Sequence, residues 1–426
     1  MLYFRSFRSL KSSNRFPNLR KQSTAVLEGT SSSSHVSSNI NTKPVAYWLL
    51  GMGGLVAGMV TVGGLTRLTR SGLSMTDWRL QGTLPPMNRA EWEIEFERYK
   101  QYPEYKQRQS MSLEEFKFIY WWEYGHRMMG RSLGFFFAGP AVYFYAKGMI
   151  PRTLYPRLGL LFSLGGTQGL IGWWMVKSGL ELSAEQRKEI RVSPYRLATH
   201  LGMAFTTYTL LLWTSFDLLN PDSKARSISS QLSKECIQAA KKHRTLALSS
   251  GALIASTVIS GAYVAGNDAG RAFNTWPKMG DHWIPEDIFE LEPKWRNFVE
   301  NTALVQFDHR MLAYGSVAAV WANYITALKG PHWNTLPKIT RQAFHATAAM
   351  SIMQASLGIS AILLYVPIEI AAVHQFGSLV LLSSVTALAH SLKFARMLPL
   401  VSGTGAGVAS AASAAGLIGK AAAKAL

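Results

Sequence analysis

The stretch "WWEYGHRMMGR", Trp121–Arg131, returns in altered form as "LVQFDHRMLAY", Leu304–Tyr314. Both set His-Arg-Met at the mouth of a long apolar run. Ionisable side chains at such a place are costly and by default mark function. Their recurrence in the same order points to a duplicated unit, and the match spreads outward from the two stretches. The first half carries "TVGGLTR", "EYGHRMMG", "TQGLIGWW" and "THLG" in order; the second carries "VISGAYV", "QFDHRMLA", "MQASLGIS" and "HQFG". Gln168 and Gln354 each stand four residues before a glycine, Gly172 and Gly358. Even the connecting segments rhyme, "MTDWRLQGTLPPM" against "FNTWPKMGDHWIP".

The apolar residues fall into eight blocks of about 20 residues, the length a helix needs to cross the hydrocarbon core. They are Val45–Leu65, Phe118–Ala146, Leu158–Val176, Ala198–Leu219, Leu246–Ala265, Ala303–Leu328, Ala343–Val366 and Ile368–Leu392. Helices are the default spanning structure because each satisfies its own backbone hydrogen bonds. The expected fold is an all-α polytopic membrane protein: eight transmembrane helices in two tandem four-helix bundles. Each repeat has an even number of spans, so a pseudo-two-fold along the membrane normal relates them. The expected segments are a leader and disordered linker (1–42), an N-terminal repeat (43–220), a C-terminal repeat (221–397) and an Ala/Gly-rich tail (398–426).

The chain has 426 residues, is 48% hydrophobic and carries a formal charge of +19. In a soluble domain that charge would suggest nucleic acid. Here the basic residues sit mostly in the leader and in short loops, so membrane lipid is the expected partner and nucleic acid is not. The first 27 residues contain six Lys or Arg, frequent serines and no Asp or Glu. That is the pattern of a mitochondrial import leader. The loops after the second, fourth and sixth blocks are basic, while segment 265–302 is acidic. Basic short loops belong on the synthesis side. Both termini are therefore expected in the matrix, and the long loops in the intermembrane space. The single cysteine, Cys236, excludes an intrachain disulfide and any Cys-rich metal site.

Four histidines open the even-numbered blocks: His126 and His200 in the first repeat, His309 and His374 in the second. By the orientation above, all four lie towards the intermembrane space. Two imidazoles on facing helices can clamp one iron, and imidazole is a haem axial ligand. Two such pairs imply two haem sites. A zinc site would gather three or four ligands together. The remaining histidines (His35, His243, His282, His332, His345 and His390) are expected to play structural or loop roles. Arg127, Arg310 and Arg131 could reach a haem propionate or snorkel to lipid headgroups. The two copies differ at one telling place. Glu123 stands three residues before His126, on one helix face; its counterpart is Gln306. A carboxylate there could act as a base or stabilise positive charge on a substrate. Asp308, opposite Gly125 in the alignment, is given no catalytic role.

The eight spans and the ordered motifs "EYGHRMMGR", "THLG", "FDHRMLAY" and "HQFG" resemble haem A synthases of the mitochondrial type, from about Val45 to Arg396. The resemblance implies an oxidoreductase that converts a ring methyl group of haem O, at carbon 8, to a formyl group, giving haem A for cytochrome c oxidase. It implies a haem b cofactor on His309 and His374 and substrate haem O on His126 and His200. Glu123 matches the family's catalytic glutamate. Haem O synthase and an electron donor are the partners it implies; a homo-oligomer stays open. Many bacterial members carry a cysteine pair in the first outer loop, whereas Thr66–Lys117 here has none. The residue pattern alone leaves a second candidate: an electron-transfer cytochrome with two bis-histidine haems.

Overall fold

The computed structural model describes residues 40–106, 109–180 and 190–397. The expected leader with His35, most of the linker and the tail from 398 onward lie outside these residues. Among the described residues every extended regular element is a helix, and eight helices of 24 to 34 residues dominate. They are α1 (Lys43–Leu68), α2 (Leu113–Ala146), α3 (Tyr155–Leu180), α4 (Pro194–Leu219), α5 (Lys234–Gly266), α6 (Thr302–Leu328), α7 (Lys338–Leu363) and α8 (Ile368–Ser391).

Local chemistry fixes where several of them begin. At α2 a capping box closes the first turn: Ser112 Oγ accepts from the Glu115 amide, and Glu115 Oε2 accepts from the Ser112 amide at 2.7 Å. The Asn301 side chain accepts from the amides of Ala303 and Leu304 to start α6. Proline occupies the first turn of α1 and α4, where its missing N–H costs nothing.

Five of the eight, α1, α5, α6, α7 and α8, are long and apolar enough to cross a membrane. The other three carry more polar residues. The stretch of α2 up to Arg131 alone holds Glu114, Glu115, Lys117, Glu123, His126, Arg127 and Arg131. Its outer surface is nonetheless apolar, with Phe135 80% exposed and Phe136 and Tyr143 also exposed. A bare apolar face of that kind suits lipid rather than water.

The helices pack in two circuits. In the first, α1 contacts α2 and α4, and α3 closes the ring against both. In the second, α5 contacts α6 and α8, and α7 closes the ring against both. The circuits meet where α4 lies on α5, α1 on α8, and α4 on α8. The core at this seam mixes Ala57 and Val60 of α1, Phe205 and Leu212 of α4, Ile254 of α5, and Leu379 and Val385 of α8. Polar links cross it too: Tyr208 Oη and Ser383 Oγ lie 2.7 Å apart.

The duplication is visible in the backbone as well. Helix α1 ends at Leu68, five residues after Gly63; α5 ends at Gly266, five after Gly261. Two residues further on, Arg70 (φ 52°) and Asp268 (φ 50°) both adopt the left-handed conformation, which non-glycine residues seldom take. The connection between α1 and α2 contains a helix, Arg89–Lys100, whose Trp92, Phe96 and Tyr99 pack on Phe116 and Tyr120 of α2.

Candidate functional site

Each of the four histidines lies against a glycine on the long helix that precedes its own. A methyl group placed on Gly63 of α1 would sit 2.8 Å from His126 Nε2. One on Gly172 of α3 would sit 3.1 Å from His200 Cε1, and one on Gly261 of α5 3.1 Å from His309 Cε1. One on Gly358 of α7 would sit 2.9 Å from His374 Cε1. Only glycine admits the rings this closely. The glycines were visible in the repeats, but nothing in the sequence tied them to the imidazoles.

His126 and His200 fall within electrostatic reach of one another, as do His309 and His374. The second bonds of the rings differ. Ser260 Oγ lies 2.8 Å from His309 Nδ1; the matching position in the first half is Val62. Gln168 and Gln354 play the same part twice, their Nε2 donating to the carbonyls of His200 and His374, each at 2.9 Å. Gln354 Nε2 also lies 3.2 Å from His374 Nδ1. No protein group hydrogen-bonds the Nε2 of any of the four rings among the described residues. Further polar atoms here, His200 Nδ1, Gln168 Oε1 and Gln354 Oε1, are buried without partners among the described residues. His200, His309 and His374 turn Cε1 to their glycines, which leaves Nε2 to the side and suits an imidazole ligand of a haem iron, whereas His126 points Nε2 at Gly63 and would have to turn to ligate one. Among the described residues no group of three or more His, Cys, Asp or Glu gathers to hold a bare metal ion.

Glu123 is buried, 2% exposed, and both of its oxygens are engaged. Oε2 accepts from Ser74 Oγ at 2.8 Å and from the Met75 amide at 2.7 Å, while Oε1 pairs with the Arg127 guanidinium. Arg127 also donates to the carbonyls of Met75 and Asp77, each at 2.7 Å. The second half repeats the construction with neutral parts. Gln306 Nε2 donates to the Ala269 carbonyl at 2.7 Å, and its Oε1 accepts from Arg310 at 2.9 Å. Arg310 in turn donates to the carbonyls of Phe273 and Lys278. Arg131 donates to the carbonyls of Arg79 and Leu80; its counterpart Tyr314 accepts from Trp276 Nε1 at 2.9 Å.

All three arginines meet protein carbonyls. Each guanidinium spends donors on the carbonyls of the loop that follows α1 or α5, and this loop-clamping role was missed in the sequence. Its signal was there: the two loops rhyme because both must offer carbonyls to the same arginine.

The other histidines take structural partners where described. His243 Nδ1 lies 2.9 Å from Asn323 Oδ1, His345 Nδ1 2.8 Å from Tyr324 Oη, and His390 Nε2 3.1 Å from Asp217 Oδ1. Cys236 is buried at the far end of α5, beside Thr335.

The family model COX15-CtaA, described as cytochrome oxidase assembly protein, matches residues 46–386. The chain is 48% identical over 357 residues to "Heme A synthase COX15" of Arabidopsis thaliana, covering 82% of this chain and 75% of that one. It is 46% identical over 351 residues to the Homo sapiens protein of the same name, covering 82% of each. It is 42% identical over 353 residues to "Heme A synthase" of Nitrosospira multiformis, covering 82% of this chain and 94% of that one.

Proposed function

The chain belongs to the COX15-CtaA family of cytochrome oxidase assembly proteins, and on that premise we propose that its two histidine pairs serve two haems of unequal purpose. The protein is a haem A synthase, an enzyme of the mitochondrial inner membrane that acts on haem O. In our reading all eight long helices span the membrane, as two bundles (43–220 and 221–397) related by a pseudo-two-fold along its normal. The matching helix circuits and the matched left-handed residues support this. The basic short loops then face the matrix with both termini, and the histidines lie towards the intermembrane space. Haem O synthase and an electron donor are the partners the family implies.

The substrate haem O is held by His126 and His200 and ends with its carbon-8 methyl oxidised to a formyl group. The cofactor, haem b, is held by His309 and His374. Bound there, it supplies one-electron redox chemistry.

The protein's own contribution is to hold these groups still. The glycines seat the imidazoles, Gln168 and Gln354 fix the backbone of the ligand turns, and Ser260 orients His309 through Nδ1. Partners of this kind set ring orientation and ligand basicity. Glu123 is the catalytic carboxylate of the substrate pair. Ser74 and Met75 fix its orientation and Arg127 pairs with it, so the carboxylate is held in one place with its position preorganised. Arg127, Arg310 and Arg131 hold the loops beside the two pairs. Contact with propionates would fall to guanidinium N–H groups not spent on carbonyls.

One observation carries this assignment. The two halves share the same clamp, yet only the first has an acid in it. Pigment analysis tests it. Wild-type protein should yield haem b together with haem O or haem A, identified by chromatography and mass. Glu123→Gln, which copies the second half, should accumulate haem O or a partly oxidised form. Two haems b per chain in both proteins would sink the assignment in favour of an electron-transfer cytochrome.

A further inference from the structure

The outer face of α5 and α6 carries a cavity of about 530 Å³ that the haem assignment does not use. Neither His309 nor His374 lines it. Its walls are apolar, with Leu253, Ile259, Val305 and Leu312, and its mouth is open, since Ser256 and Met311 are exposed. Four polar side chains point the chemistry: Ser256, Ser260, Tyr263 and Asp308. Asp308 has no hydrogen-bond or ion-pair partner among the described residues. Ser260 lines the cavity and also lies 2.8 Å from His309 Nδ1.

The duplication supplies a control. Aligning Gly261 with Gly63 and His309 with His126 puts Gly58, Val62, Leu65 and Gly125 at the four polar positions. The first half has replaced every polar group by an apolar side chain or by none. A general need of the fold would have kept both sets. These four polar side chains are a property of the second half alone.

We propose that this cavity binds the head group of a membrane-soluble quinone or quinol. Its volume lies in the range of small-molecule sites, which are mostly apolar with a few placed polar groups. An unpaired carboxyl group on an apolar wall seeks a hydrogen-bond donor, and it repels the phosphates and carboxylates of ordinary lipid. A quinol hydroxyl donates to Asp308. A quinone carbonyl accepts from the hydroxyl of Ser256 or Tyr263. The isoprenoid chain leaves through the open mouth into lipid. The proposal goes beyond the haem assignment and does not depend on which haem, if any, His309 binds.

The experiment uses the full chain in phosphatidylcholine nanodiscs with a photoreactive azidoquinone. Labelling should fall on peptides covering 253–263 and 305–312, and excess decylubiquinone should suppress it. Asp308→Asn keeps the shape, and Ser256→Leu alters only an exposed position. Asp308→Asn should weaken competition by the reduced form, decylubiquinol, about tenfold, the scale of one hydrogen bond to a charged group, and Ser256→Leu should weaken competition by decylubiquinone about threefold, the scale of a neutral one, each with an unchanged elution profile and haem content. Labelling elsewhere, or labelling that decylubiquinone does not suppress, overturns the proposal. So does equal suppression by phosphatidylethanolamine, whose ammonium group would then be the partner of Asp308.

Discussion

At the scale of single residues, the tightest constraint is the glycine under each imidazole. A methyl at Gly358 would meet His374 at 2.9 Å, so the ring must move off its place. Overpacking of this size costs about 1–3 kcal/mol, but the larger effect is on ligation. Gly358→Ala should lose the haem of the second pair and retain that of the first, read from the pyridine haemochrome spectrum. Ser260→Val, which copies Val62, tests the bond to His309. It should shift the reduction potential of the second-pair haem and leave the first unchanged, measured by redox titration. Loss of such an outer partner typically costs about 10–100-fold in metal affinity or activity. The four histidines and Glu123 were legible in the sequence because an ionisable group in an apolar run stands out. Ser260 was not, because a serine in a helix has many bland uses. Asp308 stood out too, but only the cavity beside it shows what surrounds the carboxyl.

At the scale of elements, the arginines join helices to loops. Removing one partner from a buried ion pair costs about 3–5 kcal/mol, because the other charge is left uncompensated. Arg127→Leu strands Glu123 and frees the carbonyls of Met75 and Asp77. Segment 71–87 should then be cleaved faster in limited proteolysis. Arg310→Leu should loosen 273–283 less, because Gln306 is neutral. Ser112→Ala, which removes the cap of α2, costs about 1 kcal/mol, so it should lower thermal stability without altering haem content. Helix positions were legible within a few residues, with one exception. The sequence started the fifth span at Leu246, whereas α5 begins at Lys234. Lys241, Lys242 and Arg244 break the apolar run there, yet Cys236, Ala240, His243 and Ala247 form a buried stripe on the same turns. An amphipathic extension carries a helical period without the hydropathy of a span.

At the scale of the whole molecule, the seam between the two circuits sets the architecture. The proposed orientation is open to a direct check, since the chain has one cysteine and Cys236 is buried. In a Cys236→Ser background, Glu290→Cys should react with an impermeant maleimide in mitoplasts, and Ser227→Cys should react only after the membrane is opened. The reverse pattern would invert the topology. The two-circuit plan was legible because the motifs recur in order. The seam itself was not, because the residues that form it differ between the halves. Gln375 shows this. Its Nε2 donates to the Val60 carbonyl of α1 at 3.1 Å, and its Oε1 lies where a side chain on Gly64 would have to go. The corresponding residue of the first half is Leu201, which packs in the apolar core.

This contact joins the last long helix to the first, and the ribosome makes them in the opposite order. Chains are built from the N-terminus at about 5–20 residues per second, so α1 waits for more than three hundred residues before Gln375 can reach it. Until then the side of α1 that α8 will cover is bare, and Gly63, the seat of His126, lies next to that open notch. A chain truncated before α8 therefore advertises its incompleteness on its first helix. Quality-control factors that survey bare helix faces within the bilayer would find it there, and the seat of His126 would reach its final shape only with the last long helix in place.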